Sequence, residues 1–436
     1  MTTATHTDEH AHGVDAIPTT PVDTGVVKTA SLAALVAGLV GFVGFGLANM
    51  QTAHETGTRD FFTAYLCGFV YWAAIPFGAA LLLMIAYVTT ASWGVILRRL
   101  FQAATRTIPV VAVLFLPVAA TFFFDHGKSS PYWWADSVWQ MPDGEISAAK
   151  HGLRLEAIEE AKHKIHDFLN PYVFTGVTAA CLLLFGVLAY FLNTWGRRSE
   201  ATDDAAAAYN LKFMSGPGLV VGILTLTVTI SGWVMSVEDT WASSMFPIVF
   251  GMNMYLTTLT LCIFIFYTLS ADKAEVLTVI KDKFKIDMGS LTFAITMVWA
   301  YASFCQYMLI WAADLPEEIA YYRKRGDHGW EYLAYFLMAF HWLIPFVVLV
   351  FREVKTNTKA MRRMCLLLLS VCAADVVWWI VPCYPHPDGG MYVPMAFSAI
   401  VMVGGIWGLA FARELGKYPI LAKNSETKFV ATWGHH

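Results

Sequence analysis

Charge is scarce in this chain. Of its 436 residues only 14% are Asp, Glu, Lys or Arg, 57% are hydrophobic, and the mean hydropathy is +0.53. An ordinary soluble domain carries about 25% charged residues, so the balance excludes a soluble fold and makes the bilayer the solvent. The net charge of −4 is spread thinly, leaving neither a basic patch for nucleic acid nor an acidic tail. The seven cysteines form no CxxC or CxxCH spacing, which excludes the usual iron–sulfur, zinc and c-type haem sites. All but Cys383 fall inside apolar runs and are read as small apolar core residues. Histidine is equally sparse at depth. His341 alone lies well inside an apolar run, with His126, His328 and His386 at ends or in loops. A membrane b-type haem, which needs two axial histidines at matched depth, is therefore not expected. No glycine fingerprint follows a strand, so flavin and nicotinamide binding have no support. Residues 1–24 are polar, with no basic segment of a signal peptide. They are read as part of a disordered arm over residues 1–26, whose His6, His10 and His12 belong to a solvated tail.

What the chain has in abundance is apolar runs near bilayer length. Ten qualify, at about residues 27–50, 61–90, 106–124, 171–195, 211–235, 244–270, 288–313, 329–351, 361–382 and 392–412. The expected fold is an all-α polytopic membrane protein of about ten transmembrane helices, with a membrane domain over 27–412. Loop charges test that count. With the N-terminus in the cytoplasm, one side collects Arg98, Arg99, Arg106, Arg197, Arg198 and most of the remaining cations, including those of a C-terminal tail over 413–436. The positive-inside rule then places both termini in the cytoplasm.

One connection on the other side is long, residues 125–170. Its stretch 145–168 has apolar residues at helical spacing (Ile146, Leu153, Ile158, Ile165) and is read as an amphipathic surface helix. Tyr132, Trp133, Trp134 and Trp139 beside it suit the membrane–water interface or a docking surface, with interface anchoring preferred.

Two ionisable residues lie within consecutive spans, His341 and Asp375. An ionisable group in a membrane helix costs roughly 2.5–3.5 kcal/mol on insertion scales and usually faces a cavity, a partner or an ion path. Counting 1.5 Å per residue from the span ends places His341 roughly 20 Å and Asp375 roughly 10 Å from the outer face, so no direct contact is expected. His341 is read either as a core histidine bonded to a carbonyl or as part of a proton path. A second acidic group, Glu238, Asp239, Asp314, Glu317 and Glu318, sits at outer helix ends as a path exit or as a solvated rim. Two sets of polar residues thread spans: Thr225, Thr229, Gly232 and Ser236, and Tyr301, Ser303, Gln306 and Tyr307. Either they back-bond and pack helices or they form a polar file, to which Tyr301 and Gln306 are assigned as candidates.

Residues 92–117 (SWGVILRRLFQAATRTIPVVAVLFLP), 215–241 (SGPGLVVGILTLTVTISGWVMSVEDTW), 288–318 (MGSLTFAITMVWAYASFCQYMLIWAADLPEE) and 341–351 (HWLIPFVVLVF) carry a resemblance. The chain resembles the second large membrane subunit of bacterial alternative complex III, a member of the polysulfide-reductase membrane-subunit (NrfD-like) family. The match runs from about residue 27 to 412, and its most specific part is the helix exit Asp314-Leu315-Pro316-Glu317-Glu318. One departure stands there: the family pattern has Asn where this chain has Asp314.

The resemblance implies two four-helix bundles plus two peripheral helices in a bacterial cytoplasmic (inner) membrane. It further implies a sister NrfD-like subunit, an iron–sulfur subunit and c-type haem subunits as partners, and quinol oxidation by the whole complex. The expected role is a proton route or quinone-site walls, with quinone or quinol as the possible ligand and no metal or covalent cofactor. A purely structural membrane anchor is the alternative. A secondary transporter is a third reading, against which stands the lack of paired broken helices at corresponding positions of the two halves.

Overall fold

The computed structural model describes residues 20–52, 57–140, 169–238, 241–271, 280–327, 329–384 and 392–421. The expected helix over 145–168, residues 1–19 of the arm and 422–436 of the tail lie outside them. Every regular element among the described residues is a helix. Apolar runs of this length cannot leave backbone groups unbonded in hydrocarbon, and a helix satisfies them within one segment.

Nine helices among the described residues are long and apolar enough to cross a membrane. They are α1 (Gly25–Thr52), α2 (Gly57–Thr89), α6 (Pro171–Thr202), α7 (Ala205–Trp233), α8 (Phe246–Leu269), α9 (Asp282–Ala313), the composite of α11 (Trp330–Leu337) and α12 (Ile344–Val350), α14 (Thr358–Ile380) and α15 (Tyr392–Leu415). Shorter elements are α5 (Trp133–Gln140), α10 (Pro316–Gly326) and α13 (Arg352–Thr356). The run expected at 106–124 is α4 (Ile108–Phe123), joined to α3 (Ser92–Thr105) at a 41° bend. The bend follows from Pro109, which cannot donate to the Thr105 carbonyl. Hydroxyls occupy the break instead: Thr105 Oγ1 donates to Gln102 O at 2.9 Å and Thr107 Oγ1 to Ala104 O at 2.7 Å. At 16 residues α4 is about 24 Å long, and counted with α3 as one broken span it brings the number of spans to ten.

The spans alternate in direction and form two sets of four. The first bundle is α2, α3–α4, α6 and α7; the second is α8, α9, α11–α12 and α14. Helix α2 also packs on α8 and joins them, while α1 and α15 pair with each other and lie against α2. Glycine allows that last pairing: a Cβ on Gly38 would lie 2.3 Å from the Met402 amide nitrogen, and one on Gly405 2.4 Å from that of Leu35. Both terminal segments meet at one end of the molecule, where Val22 N–H donates to Tyr418 O at 3.1 Å. This is the arginine end, with Arg98, Arg99, Arg106 and Arg197; the opposite, tryptophan end carries Trp134, Trp241 and Trp379.

Aromatic rings fill the first bundle. Phe69, Phe77 and Phe115 surround Trp233 with ring centroids 4.9, 6.0 and 6.4 Å away. Trp233 Nε1 donates to Thr178 Oγ1 at 3.0 Å, which satisfies its one polar group. Tyr132 and Trp134, expected at the membrane interface, are fully buried against Phe122 and Phe174 instead. Tyr132 donates to Trp233 O at 2.9 Å, a partner inside the bundle that removes the reason to stay at the water boundary. The side chain of Trp139 lies outside the described residues.

Candidate functional site

The second bundle holds the polar interior. Helix α8 contributes Asn253 and Thr257, one turn apart; α9 contributes Trp299; α14 contributes Cys372 and Asp375. His341 comes from a π-helical turn, Met338–Leu343, between α11 and α12. Pro345 explains that turn. It lacks the N–H that would bond the His341 carbonyl, and its ring crowds that carbonyl, so the preceding turn widens. Ile344 N–H accordingly reaches back five residues to Ala339 O.

His341 and Asp375 touch. His341 Nδ1 and Asp375 Oδ2 are 3.0 Å apart, in an approach too oblique for a directed hydrogen bond, and both residues are essentially inaccessible. The expected separation is thus corrected. Measured from the actual outer ends, Trp330 and Cys383, the two lie about 16 and 12 Å deep, and modest tilt closes the remainder. Asn253 Nδ2 donates to the same Asp375 Oδ2 at 3.0 Å, and Thr257 Oγ1 donates to Asn253 Oδ1 at 3.3 Å. On the other side of the imidazole, Cys372 Sγ lies 3.7 Å from Nε2, and the Trp299 indole stacks on the ring with centroids 3.6 Å apart.

The two ends of this site differ. One turn nearer the tryptophan end, Phe250 and Trp379 close over the pair with rings 5.5 Å apart, and Phe246 packs on the same indole. Beyond them sits Arg325, 2% exposed. Its Nε and Nη2 donate to the carbonyls of Trp378 and Trp379 at 3.1 and 2.6 Å, and Nη1 donates to Tyr321 O at 2.8 Å. A guanidinium bound to the last carbonyls of α14 is a favourable helix-end charge, fixed on the tryptophan side of the pair. Toward the arginine end the interior stays polar. Thr258 and Thr260 on α8 and Thr292 and Thr296 on α9 are fully buried but donate back to carbonyls of their own helices, Thr258 also to Ile75 O on α2, whereas Tyr267 and Ser270 hold buried hydroxyls with no partner among the described residues.

The remaining sequence candidates fall elsewhere. Glu238 is buried at the tryptophan end, its Oε1 paired with Lys324 Nζ at 2.6 Å. Asp314 is exposed at the end of α9 with φ 50°, a left-handed cap that Asn and Asp both tolerate. Glu318 is half-buried on α10, Asp239 and the Glu317 side chain lie outside the described residues, and Tyr301 is 69% exposed on the outer face of α9. Gln306 is buried beside Tyr322. Thr229 bonds back to Thr225 O at 2.9 Å and Ser236 to Gly232 O, so that set packs a helix rather than lining a file.

Glu238 also lines a cleft of about 270 Å³ between α6 and α7, with Phe174, Trp233 and Trp241. Glu238 Oε2 and Trp241 Nε1 are buried there with no partner among the described residues.

The His341–Asp375 pair binds the same number of protons whether written as imidazolium and carboxylate or as imidazole and carboxylic acid, so a transfer between them, once the ring turns into line, would leave the net charge of the apolar interior unchanged. Among the described residues no group of three His, Cys, Asp or Glu side chains is placed to hold a metal. No protein-family model and no curated protein matches the chain.

Proposed function

We propose that the chain is an integral subunit of a quinol-oxidising respiratory complex of the alternative complex III type, in a bacterial cytoplasmic membrane with both termini inside. Within it, the second bundle provides a proton route and the chain holds no redox centre of its own. A sister NrfD-like subunit, an iron–sulfur subunit and c-type haem subunits complete the assembly in this reading. The observation that carries it is the buried His341–Asp375 pair, supported by Asn253 and Thr257, with the unpartnered Tyr267 and Ser270 hydroxyls further toward the arginine end. Arg325 and the Phe250–Trp379 contact oppose free passage the other way, as a gated route requires. A second contribution, walls of a quinone site, is favoured by the α6–α7 cleft with its unpartnered Glu238 oxygen.

Asp375→Asn keeps the shape and the Asn253 contact and removes the titratable proton. In vesicles holding the assembled complex, it should leave quinol oxidation without a membrane potential near wild type and lower the protons released per electron. Wild-type proton stoichiometry in an assembled variant would refute the route and leave the structural-anchor reading standing.

A further inference from the structure

At the arginine end, a cavity of about 350 Å³ opens between the α3–α4 break, α6 and the segment after α15. One half is cationic, with Arg106, Arg197 and Lys417; the other is apolar, with Ile108, Pro109 and Ala189. The charges are not balanced locally. Arg106 meets Glu414 only at 3.9 Å, and its Nη2 is buried with no partner among the described residues. Lys417 shares that same carboxylate at 2.5 Å, and Arg197 donates to the neutral Tyr418 hydroxyl at 3.0 Å. Next to the cavity, Glu200 is already taken by Arg99 at 2.8 Å and Arg98 at 3.6 Å. Burial raises the Tyr418 hydroxyl, yet the Arg197 hydrogen bond and the charges of Arg106, Arg197 and Lys417 bring it below its ordinary range.

Depth fits a headgroup. Asn193, which lines the cavity, lies about 33 Å along α6 from Pro171, close to the thickness of a hydrocarbon core. Arg197 stands one turn further, where phosphates sit, while Gly186 and Ala189 stand on the acyl side. A Cβ built on Gly186 meets no atom within 4 Å, so the apolar half is open space that a side chain could fill.

We propose that this cavity binds an anionic phospholipid, its phosphodiester held by Arg106, Arg197 and Lys417 and the start of one acyl chain lying along Gly186 and Ala189. Basic pockets between membrane helices suit such headgroups, and guanidinium matches phosphate oxygens two at a time. Nothing in this assignment depends on the proton route.

Native mass spectrometry of the full chain in mild detergent tests it, with dioleoyl-phosphatidylglycerol, dioleoyl-phosphatidylcholine and inorganic phosphate as separate probes. Wild type should retain phosphatidylglycerol about tenfold better than phosphatidylcholine, and Arg106→Gln with Arg197→Gln should remove that preference. Because those arginines also contact Glu414 and Tyr418, Gly186→Leu supplies a variant with every charge in place. It should lose phosphatidylglycerol about tenfold by filling the acyl side. Equal retention of the two lipids by wild type, or undiminished phosphatidylglycerol on Gly186→Leu, overturns the proposal. So does displacement of the lipid by millimolar inorganic phosphate, which would make the site one for a free anion.

Discussion

The first bundle keeps its charges at its two ends, Asp60 at the tryptophan end and Arg98, Arg99 and Glu200 at the other, and fills the depth between with aromatic rings. The second bundle, with the same number of helices, spends its interior on an imidazole, a carboxylate, an amide and hydroxyls. The first shows that four helices in this chain can pack with their buried carboxylates and guanidinium at the bundle ends and no carboxylate or imidazole at mid-depth. The second therefore carries a desolvation cost that packing alone does not demand, and intramembrane ionisable groups are retained mainly for function.

Breaking the first bundle should harm stability alone. Trp233→Ala removes a ring that touches Phe69, Phe77 and Phe115 and leaves a cavity, for a loss of about 3–5 kcal/mol, read as an earlier midpoint in detergent denaturation. Whatever complex still assembles should release protons with unchanged stoichiometry. A lowered stoichiometry would show that the two bundles do not divide the work in this way.

Arg325→Met comes next. It leaves the carbonyls of Trp378, Trp379 and Tyr321 without their donor at the buried end of α14, a cost of about 2–4 kcal/mol. It also removes the fixed cation, so vesicles holding the variant should leak protons faster than wild type. Destabilisation with no added leak would make Arg325 a helix cap and nothing more.

At the pair itself, Asp375→Leu removes the carboxylate beside His341 and the acceptor of Asn253 Nδ2, for about 2–3 kcal/mol. Asp375→Asn should cost about 1 kcal/mol or less, since an amide oxygen still accepts from Asn253. Similar losses for both would mean that the carboxylate charge, and not hydrogen bonding, holds the bundle.

Much of the fold was legible because a bilayer leaves a chain few options. Apolar runs gave the helices, and loop cations gave an even count with both terminal segments at one end. The division into bundles was not readable from residues and came with the family resemblance. The bend at Arg106 was hidden because α3 is amphipathic and its apolar half escapes a hydropathy window. His341 and Asp375 stood out as ionisable groups in spans, yet their contact depends on helix ends and tilt that a residue count misplaces. Pro345, four residues after His341, was the available sign of the widened turn. Asn253 and Thr257 carried a weaker sign, an amide and a hydroxyl one turn apart inside an apolar run. Nothing in Arg323-Lys324-Arg325 distinguishes the buried cation from its two neighbours, because burial is decided by the end of α14 some fifty residues later. Trp299 and Cys372 look like ordinary core residues until His341 is seen between them.

The smallest expected effect is the most selective. Thr257→Val preserves volume and branching and removes only the hydroxyl that donates to Asn253 Oδ1 at 3.3 Å. A hydrogen bond that long between neutral groups contributes little, so stability should fall by about 0.5–1.5 kcal/mol. The comparable change in the first bundle, Thr178→Val, removes the acceptor of Trp233 Nε1 at 3.0 Å and should cost a similar amount. In stability the two variants are twins. In proton handling they should part, because Thr257 bonds the Asn253 that holds Asp375, whereas the Thr178 hydroxyl serves the Trp233 indole on the α6–α7 cleft, away from the pair. Thr257→Val should slow proton-coupled turnover in energised vesicles by a few-fold relative to uncoupled quinol oxidation, and Thr178→Val should leave that ratio unchanged. If Thr257→Val and Thr178→Val behave alike in energised vesicles, the polar interior of the second bundle is packing after all, and the contrast between the bundles is one of composition without consequence for transport.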